Sequence, residues 1–222
     1  MKSILKKFSI FLMLVLLNSV GFGQSNEIEI TFLGNAGFLM SDGVTNIYFD
    51  FPYKSGAYGY MTYDESELDK IKDNSIFIFT HKHADHYSRK LVKKLKGEIY
   101  AGANRKRIDQ LNKKLLDFKI QSFKTKHKFS LTHYSYLVDW KGKRFFISGD
   151  TEHPETIGSI KNIDYVFVPY WILLYAKKAN LDIDAKIRVL YHLYPNQHFD
   201  GDIPENYIVF NNPGMKFTIR VD

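Results

Sequence analysis

One heptapeptide restricts this chain more than any other feature: Thr80-His81-Lys82-His83-Ala84-Asp85-His86. Ahead of it stands Ile76-Phe77-Ile78-Phe79, a β-branched and aromatic run that reads as a buried strand. Behind it, Ser88 to Lys96 sets its leucine and valine positions on one helical face, with Gly97 as the expected stop. Three histidines and an aspartate thus fall on a strand-to-helix loop, where α/β folds carry functional groups. Packing three imidazoles against a carboxylate without a cation leaves donors and acceptors competing for few partners. A metal ion removes that conflict, since neutral imidazole and ionised carboxylate are good zinc ligands. In an extended segment His81 and His83 point the same way, as residues i and i+2. Asp85 and His86 lie past the bend and can face a second ion.

The rest of the chain supplies a scaffold for such a loop. Residues 27–33 alternate strictly and read as a first strand. Gly34-Asn35-Ala36-Gly37 is a turn, and residues 38–40 and 46–50 complete a β-meander closed by Pro52. The tyrosine- and glycine-rich residues 53–63 read as a surface loop bordering a site, with Tyr53, Tyr58 or Tyr60 placed to meet a substrate or to pack among themselves. Short strands are expected at 99–101 and 119–123, around a helix over 104–117. The second half repeats the scheme. Strands 134–140 and 144–147 flank the hairpin turn Lys141-Gly142-Lys143. A short helix from Pro154, a buried strand over 164–168, a helix over 171–180 and strands over 187–191 and 216–220 follow. No linker or composition break divides the halves, so the pattern predicts one α/β domain over 24–222, two facing sheets with helices outside.

The first 23 residues are not expected to belong to that domain. Lys2, Lys6 and Lys7 precede an apolar run from Phe8 to Leu17, and Gly21 and Gly23 supply small residues at the −3 and −1 positions before Gln24. This is the pattern of a secretory signal peptide, and its apolar run is shorter than the ~20 residues of a membrane span. The protein is therefore expected to be exported to the periplasm or outside the cell, with no stable membrane anchor after cleavage. The chain has no cysteine, which rules out a lipid-modified cysteine. Loss of three lysines would take the formal net charge from +7 to about +4, because residues 1–23 contain no acid. Such a modest excess does not require a nucleic-acid partner. A small-molecule substrate is expected instead, with the oligomeric state left open.

With the motif and this order of elements together, the chain resembles the metallo-β-lactamase fold superfamily over essentially all of residues 27–222. That resemblance implies a four-layer αββα sandwich and a metallohydrolase with two divalent ions, zinc first and manganese or iron as alternatives. It assigns His81, His83, Asp85 and His86 as ligands. Asp50, in Phe49-Asp50-Phe51-Pro52, would accept a hydrogen bond that fixes the metal loop or a ligand imidazole. The third histidine of the first site is His127 or His133, with His127 matching the ligand of the glyoxalase-II-like members. Asp150, in Ser148-Gly149-Asp150-Thr151, would bridge the two ions. His192 at the end of Val189-Leu190-Tyr191 would complete the second site, with His198 as the fallback. His153 is expected to cap the helix that begins at Pro154.

Departures from the family pattern narrow the chemistry. One class of true metallo-β-lactamases uses a cysteine that this chain lacks, and the other generally lacks the bridging aspartate that Asp150 provides. The resemblance is nearer the lactonase, thioesterase and phosphodiesterase branches, although Asn35 stands where the lactonase-like branch commonly has histidine. In that reading Asp85 is both ligand and catalytic group, orienting the nucleophile and shuttling its proton. Two rivals share the fold: a mononuclear iron oxidoreductase, and a secreted module that binds metal or ligand without catalysis. No glycine-rich phosphate loop, arginine clamp or appended specificity domain marks the substrate.

Overall fold

The computed structural model describes residues 26–56, 63–72, 75–101, 105–194, 197 and 202–221. The expected signal peptide, Tyr58, Tyr60 and His198 lie outside the described residues. The first sheet begins as the predicted meander, β1 (Glu27–Gly34), β2 (Gly37–Ser41) and β3 (Asn46–Phe49). It continues with β4 (Ser75–Phe79) and β5 (Gly97–Ala101), both parallel to β3. The second sheet repeats this with an antiparallel β6 (Phe118–Thr125), β7 (His133–Trp140) and β8 (Lys143–Ile147). The parallel strands β9 (Ile163–Pro169), β10 (Ala185–Tyr191) and β11 (Tyr207–Val209) then follow. The last strand, β12 (Lys216–Arg220), returns to the first sheet and pairs antiparallel with β1. The strand orders are β12-β1-β2-β3-β4-β5 and β11-β10-β9-β8-β7-β6.

Side-chain alternation explains why the sheets stack and why helices must cover their backs. In β4, Ile76 and Ile78 enter the core between the sheets, while Phe77 and Phe79 join a second cluster with Tyr48, Phe51 and Val92. In β8, Phe145 and Ile147 face the same central core, and Phe146 faces outward among Val166, Val168, Ile172 and Ala176. A strand buried on both faces carries a continuous apolar run, and successive residues serve opposite layers. Phe38 of one sheet stacks on Phe167 of the other, with ring centroids 4.5 Å apart. The outer clusters are covered by α1 (Arg89–Val92) on the first sheet, and by α3 (Glu155–Gly158) and α4 (Tyr170–Lys178) on the second. Between β5 and β6, α2 (Arg105–Lys114) contributes Ile108 and Leu111 to the central core. The architecture is the expected four-layer αββα sandwich.

Several elements differ from the sequence expectation, among them a 3-10 helix over Glu65–Lys70. The helix after the histidine loop ends at Val92 after one turn, and Gly97 opens β5 rather than closing a helix. Its φ of +155° and the Ser75 carbonyl, which a Cβ would strike, require glycine there. The second helix stops at Lys114, three residues short of the expected end. Strand β11, only three residues long and half-buried, lies in the β-branched and aromatic run Tyr207-Ile208-Val209-Phe210, which the sequence reading left unassigned.

The topology gathers the functional residues at one rim. Strands β3 and β4 run parallel and end at Asp50 and Thr80. Strands β8 and β10, both parallel to β9, end at Ser148 and His192. The carboxyl ends of parallel strands form the crevice in which open α/β sheets bind ligands.

Candidate metal centre

Two groups of side chains meet at that rim, each with its ligand-type atoms within 4.8 Å of one another. The first is His81, His83 and His127. The second is Asp85, His86, Asp150 and His192. Their rings lie side by side, with the His81 centroid 4.1 Å from that of His86 and 4.8 Å from that of His127.

For His81, His86 and His127, hydrogen bonds on the far side of the ring show which nitrogen is turned inward for a cation. Asp50 is the hub. Its Oδ1 accepts from the Thr80 backbone N–H at 2.7 Å, and its Oδ2 accepts from Thr80 Oγ1 at 2.7 Å and from His86 Nδ1 at 2.9 Å. Because Thr80 Oγ1 donates to Asp50, it accepts from His81 Nδ1, 3.0 Å away. His81 Nε2 is then a bare lone pair, buried and without a partner. Glu152 performs the same service for His127, holding Nδ1 at 3.1 Å and turning Nε2 toward His83 Nδ1 at 3.2 Å. Carboxylates behind ligating imidazoles fix their tautomer and raise their basicity.

The second group converges on Asp150. Its Oδ2 lies 2.9 Å from His86 Nε2 and 3.0 Å from His192 Nε2, while its Oδ1 is buried without a partner. Asp85 Oδ2 lies 3.2 Å from His192 Nε2 and 3.8 Å from His86 Nε2. Burial alone would raise the Asp150 pKa, but the neighbouring His192 and His86 overcome it and hold the carboxyl well below the usual range. His192 shows the converse: burial opposes its charge, yet the Asp150 carboxylate pushes it up to about 9. Buried Asp150 and half-buried Asp85 thus favour positive charge on the imidazoles, a role that divalent cations can take from protons. A bare His81 nitrogen and a bare Asp150 oxygen are the donor types that zinc accepts. The residues present fit the group.

His133 takes a different role from His127. Its Nε2 accepts from the Asp150 backbone N–H at 3.0 Å, and its Nδ1 donates to Thr125 Oγ1 at 2.6 Å. The proton chain continues from Thr125 to Ser135 and from Ser135 to the Ser148 carbonyl. Both ring nitrogens are occupied, so His133 positions Asp150 and has no lone pair to offer. Burial pushes its pKa down to about 3. In metal-stripped protein its contribution is complete above its unfolded value of 6.5 and is lost as pH falls toward about 3. The slope from this group is at most ~1.4 kcal/mol per pH unit. Urea midpoints across that window should fall more steeply for the wild type than for His133→Gln, which keeps an acceptor and a donor but does not titrate. Parallel profiles would contradict the assignment.

The backbone itself is bent to serve the site. Asp50 and His192 adopt left-handed φ values of 46° and 56°, a conformation that costs a non-glycine residue about 1–2 kcal/mol. Asn35, buried in the β1–β2 turn with φ 51°, does more than turn the chain. Its side-chain amide donates to the Asp85 carbonyl at 2.6 Å, and its own carbonyl accepts from the His192 N–H at 3.0 Å. One turn residue therefore ties the two halves of the second group together. Asp50→Asn should lower metal affinity about 10–100-fold, because one of its two acceptor atoms becomes a donor facing Thr80 or His86. Titration of chelator-stripped protein with zinc measures this, and an unchanged affinity would contradict the hub role.

One expectation is corrected here. His153 does not cap the following helix, whose N-cap Pro154 has no side-chain capping bond; its half-exposed ring lies 3.8 Å from Glu155. Of the two roles expected for Tyr53 the structure shows the packing one: it is buried against Tyr63, donates to the Leu33 carbonyl and does not border the cleft. The sequence reading also missed Glu152 and Trp171. Glu152 stands two residues after Asp150, a signal that was legible. Trp171, whose ring meets that of His192 edge-on at 5.1 Å, gave no signal in its helical surroundings. A cleft of about 610 Å³ opens above the two groups, bordered by His83, Asp85, Asp150 and His192 on its floor.

Comparison with known proteins bears on the family and the fold. A family model described as the beta-lactamase superfamily domain matches residues 29–181. No curated protein matches the sequence. Among solved structures, the metallo-beta-lactamase fold protein YhfI from Bacillus subtilis is similar at 16% identity. The match covers 86% of this chain and 99% of that one, with a TM-score of 0.59. The metallo hydrolase Igni18 from Ignicoccus hospitalis is similar at 16% identity over 88% of this chain and 100% of the other, with a TM-score of 0.58. An isothiocyanate hydrolase from Delia radicum gut bacteria matches at 14% identity, 85% and 98% coverage and a TM-score of 0.56. At these identities the likeness is one of fold.

Proposed function

This chain belongs to the beta-lactamase superfamily, and on that footing we propose that it is an exported, metal-dependent hydrolase. Its reaction is the cleavage of an ester, lactone, thioester or phosphodiester with water. The observation that carries the reading is the pair of buried atoms without partners, His81 Nε2 and Asp150 Oδ1, one in each group. Two zinc ions are the occupants proposed, with His81, His83 and His127 holding one and Asp85, His86 and His192 the other. Asp150 lies between the sets as the shared carboxylate. A single iron would leave the second group, two carboxylates facing two imidazoles, without its cation, so the dinuclear reading is preferred.

When bound, the ions would acidify a water into a nucleophile at neutral pH and polarise the oxygen of the scissile bond. The remaining work belongs to the protein's own groups. Asp85 borders the cleft, and it stays ionised although burial opposes this, because His192 and His86 hold its pKa down. An ionised, half-buried carboxylate at the floor is placed to orient a water and accept its proton. Asn35 fixes the backbone on which Asp85 sits. Asp50 and Glu152 hold Nδ1 of His86 and His127 and so turn Nε2 of each ring into the site.

Export rests on residues 1–23; among the described residues no helix is long and apolar enough to cross a membrane. A panel of ester, lactone, thioester and phosphodiester substrates tests the chemistry. The reading requires a turnover that disappears on chelation and returns with zinc. Turnover that survives complete metal removal would overturn it.

A further inference from the structure

The cleft's walls differ in kind from its floor, and they carry a statement about substrate. Every ionisable group of the floor belongs to the two ligand groups or, like Glu152, is paired with one of them. Above it stand Phe129, Tyr170, Trp171, Tyr175 and Tyr194, with a single cation, Lys128. Phe129 is 99% exposed on the 126–132 loop, held in a left-handed turn at φ 59°. Leu131, two residues on, is 98% exposed, and Tyr175 and Tyr194 are also open to solvent. Water-exposed aromatic surface at the mouth of one cleft is what an apolar ligand covers.

The polar groups limit what else that ligand carries. Lys128 makes no ion pair with any described residue, so its charge is available to the cleft. No arginine borders the cleft among the described residues, so the fork that grips phosphate in two places is lacking. One ammonium group suits one negative charge. The loop that bears Lys128 and Phe129 is also bound to the site. His127 begins it, His133 follows it, and the Lys126 carbonyl accepts from Thr151 Oγ1 at 2.8 Å, next to Asp150. Charge and apolar surface are therefore presented at a fixed place beside the floor.

We propose that the cleft selects monoanionic amphiphiles, compounds in which a hydrolysable head with one carboxylate-type charge is joined to an acyl or aryl tail. The charge lies by Lys128 and the tail lies against Phe129, Trp171, Tyr175 and Tyr194. The reactive end of this assignment rests on the hydrolase reading of the same floor, whereas the selection by the walls is tested without turnover.

Trp171 provides the readout. The chain has two tryptophans, and the other, Trp140, is buried at the end of β7 remote from His133. Zinc-loaded protein is titrated with sodium octanoate, sodium acetate, octyltrimethylammonium and adenosine monophosphate while tryptophan fluorescence is followed. Octanoate should bind saturably and about 50-fold tighter than acetate, the gain from about three buried methylene groups. Lys128→Gln should weaken octanoate about fivefold, as for a partly exposed ion pair. Phe129→Ser should bring octanoate closer to acetate. Acetate binding as tightly as octanoate, octyltrimethylammonium matching it, or the nucleotide exceeding it would each overturn the proposal. Octanoate binding of this kind in a protein that cleaves no ester, lactone, thioester or phosphodiester of the panel leaves the proposal standing and sinks the hydrolase reading. Ester cleavage indifferent to tail and charge does the reverse.

Discussion

Asp150→Asn is expected to lower kcat/KM at least about a thousandfold, a loss of ~4 kcal/mol in transition-state stabilisation. Its Oδ2 is approached by two imidazole nitrogens at 2.9 and 3.0 Å, and its Oδ1 has no protein partner. Asparagine has the same shape but lacks the charge, and it offers a donor where one acceptor stood. The fold should survive, because the core between the sheets is built by apolar residues such as Phe38, Phe145 and Phe167. Near-ultraviolet circular dichroism checks the fold, and steady-state kinetics with elemental analysis check the site. A variant with near-wild-type turnover would remove Asp150 from the reaction.

Gly149→Ala should be a highly damaging single-methyl change at the candidate site. Gly149 has φ +59°, and a Cβ there would lie 2.6 Å from His133 Nε2 and 2.9 Å from Thr80 Cβ. Neither neighbour can retreat. His133 is held by Thr125 and by the Asp150 N–H, and Thr80 is held by Asp50. Left-handed strain and overpacking together cost about 3–4 kcal/mol. For a domain of this size that lowers Tm by roughly 10 °C. The displaced Asp150 should also reduce zinc uptake. A melting temperature within a degree or two of the wild type would mean that the close approach at Gly149 is not required.

Most of the scaffold was legible because its strands are buried on both faces or alternate cleanly, and both patterns survive without tertiary knowledge. The histidine loop was legible for a different reason: its residue types are costly to bury together without a cation. What escaped depends on contacts between distant segments. The one-turn α1 follows from the demand of β5 for Gly97 beside Ser75, a pairing that local periodicity does not encode. Spacing alone left both His127 and His133 open, and the difference between them lies in their partners, Glu152 for one and the Asp150 N–H for the other. Asn35 read as a turn residue. Its second role, tying Asp85 to His192, joins residues from opposite halves of the chain.

The central claim is that these seven side chains hold two divalent ions. Elemental analysis of purified mature protein after gentle dialysis tests it most directly. The account predicts about two zinc, or zinc with manganese, per chain, in line with the two groups of ligand atoms. One iron per chain, or no metal even after titration with zinc and manganese, would contradict it.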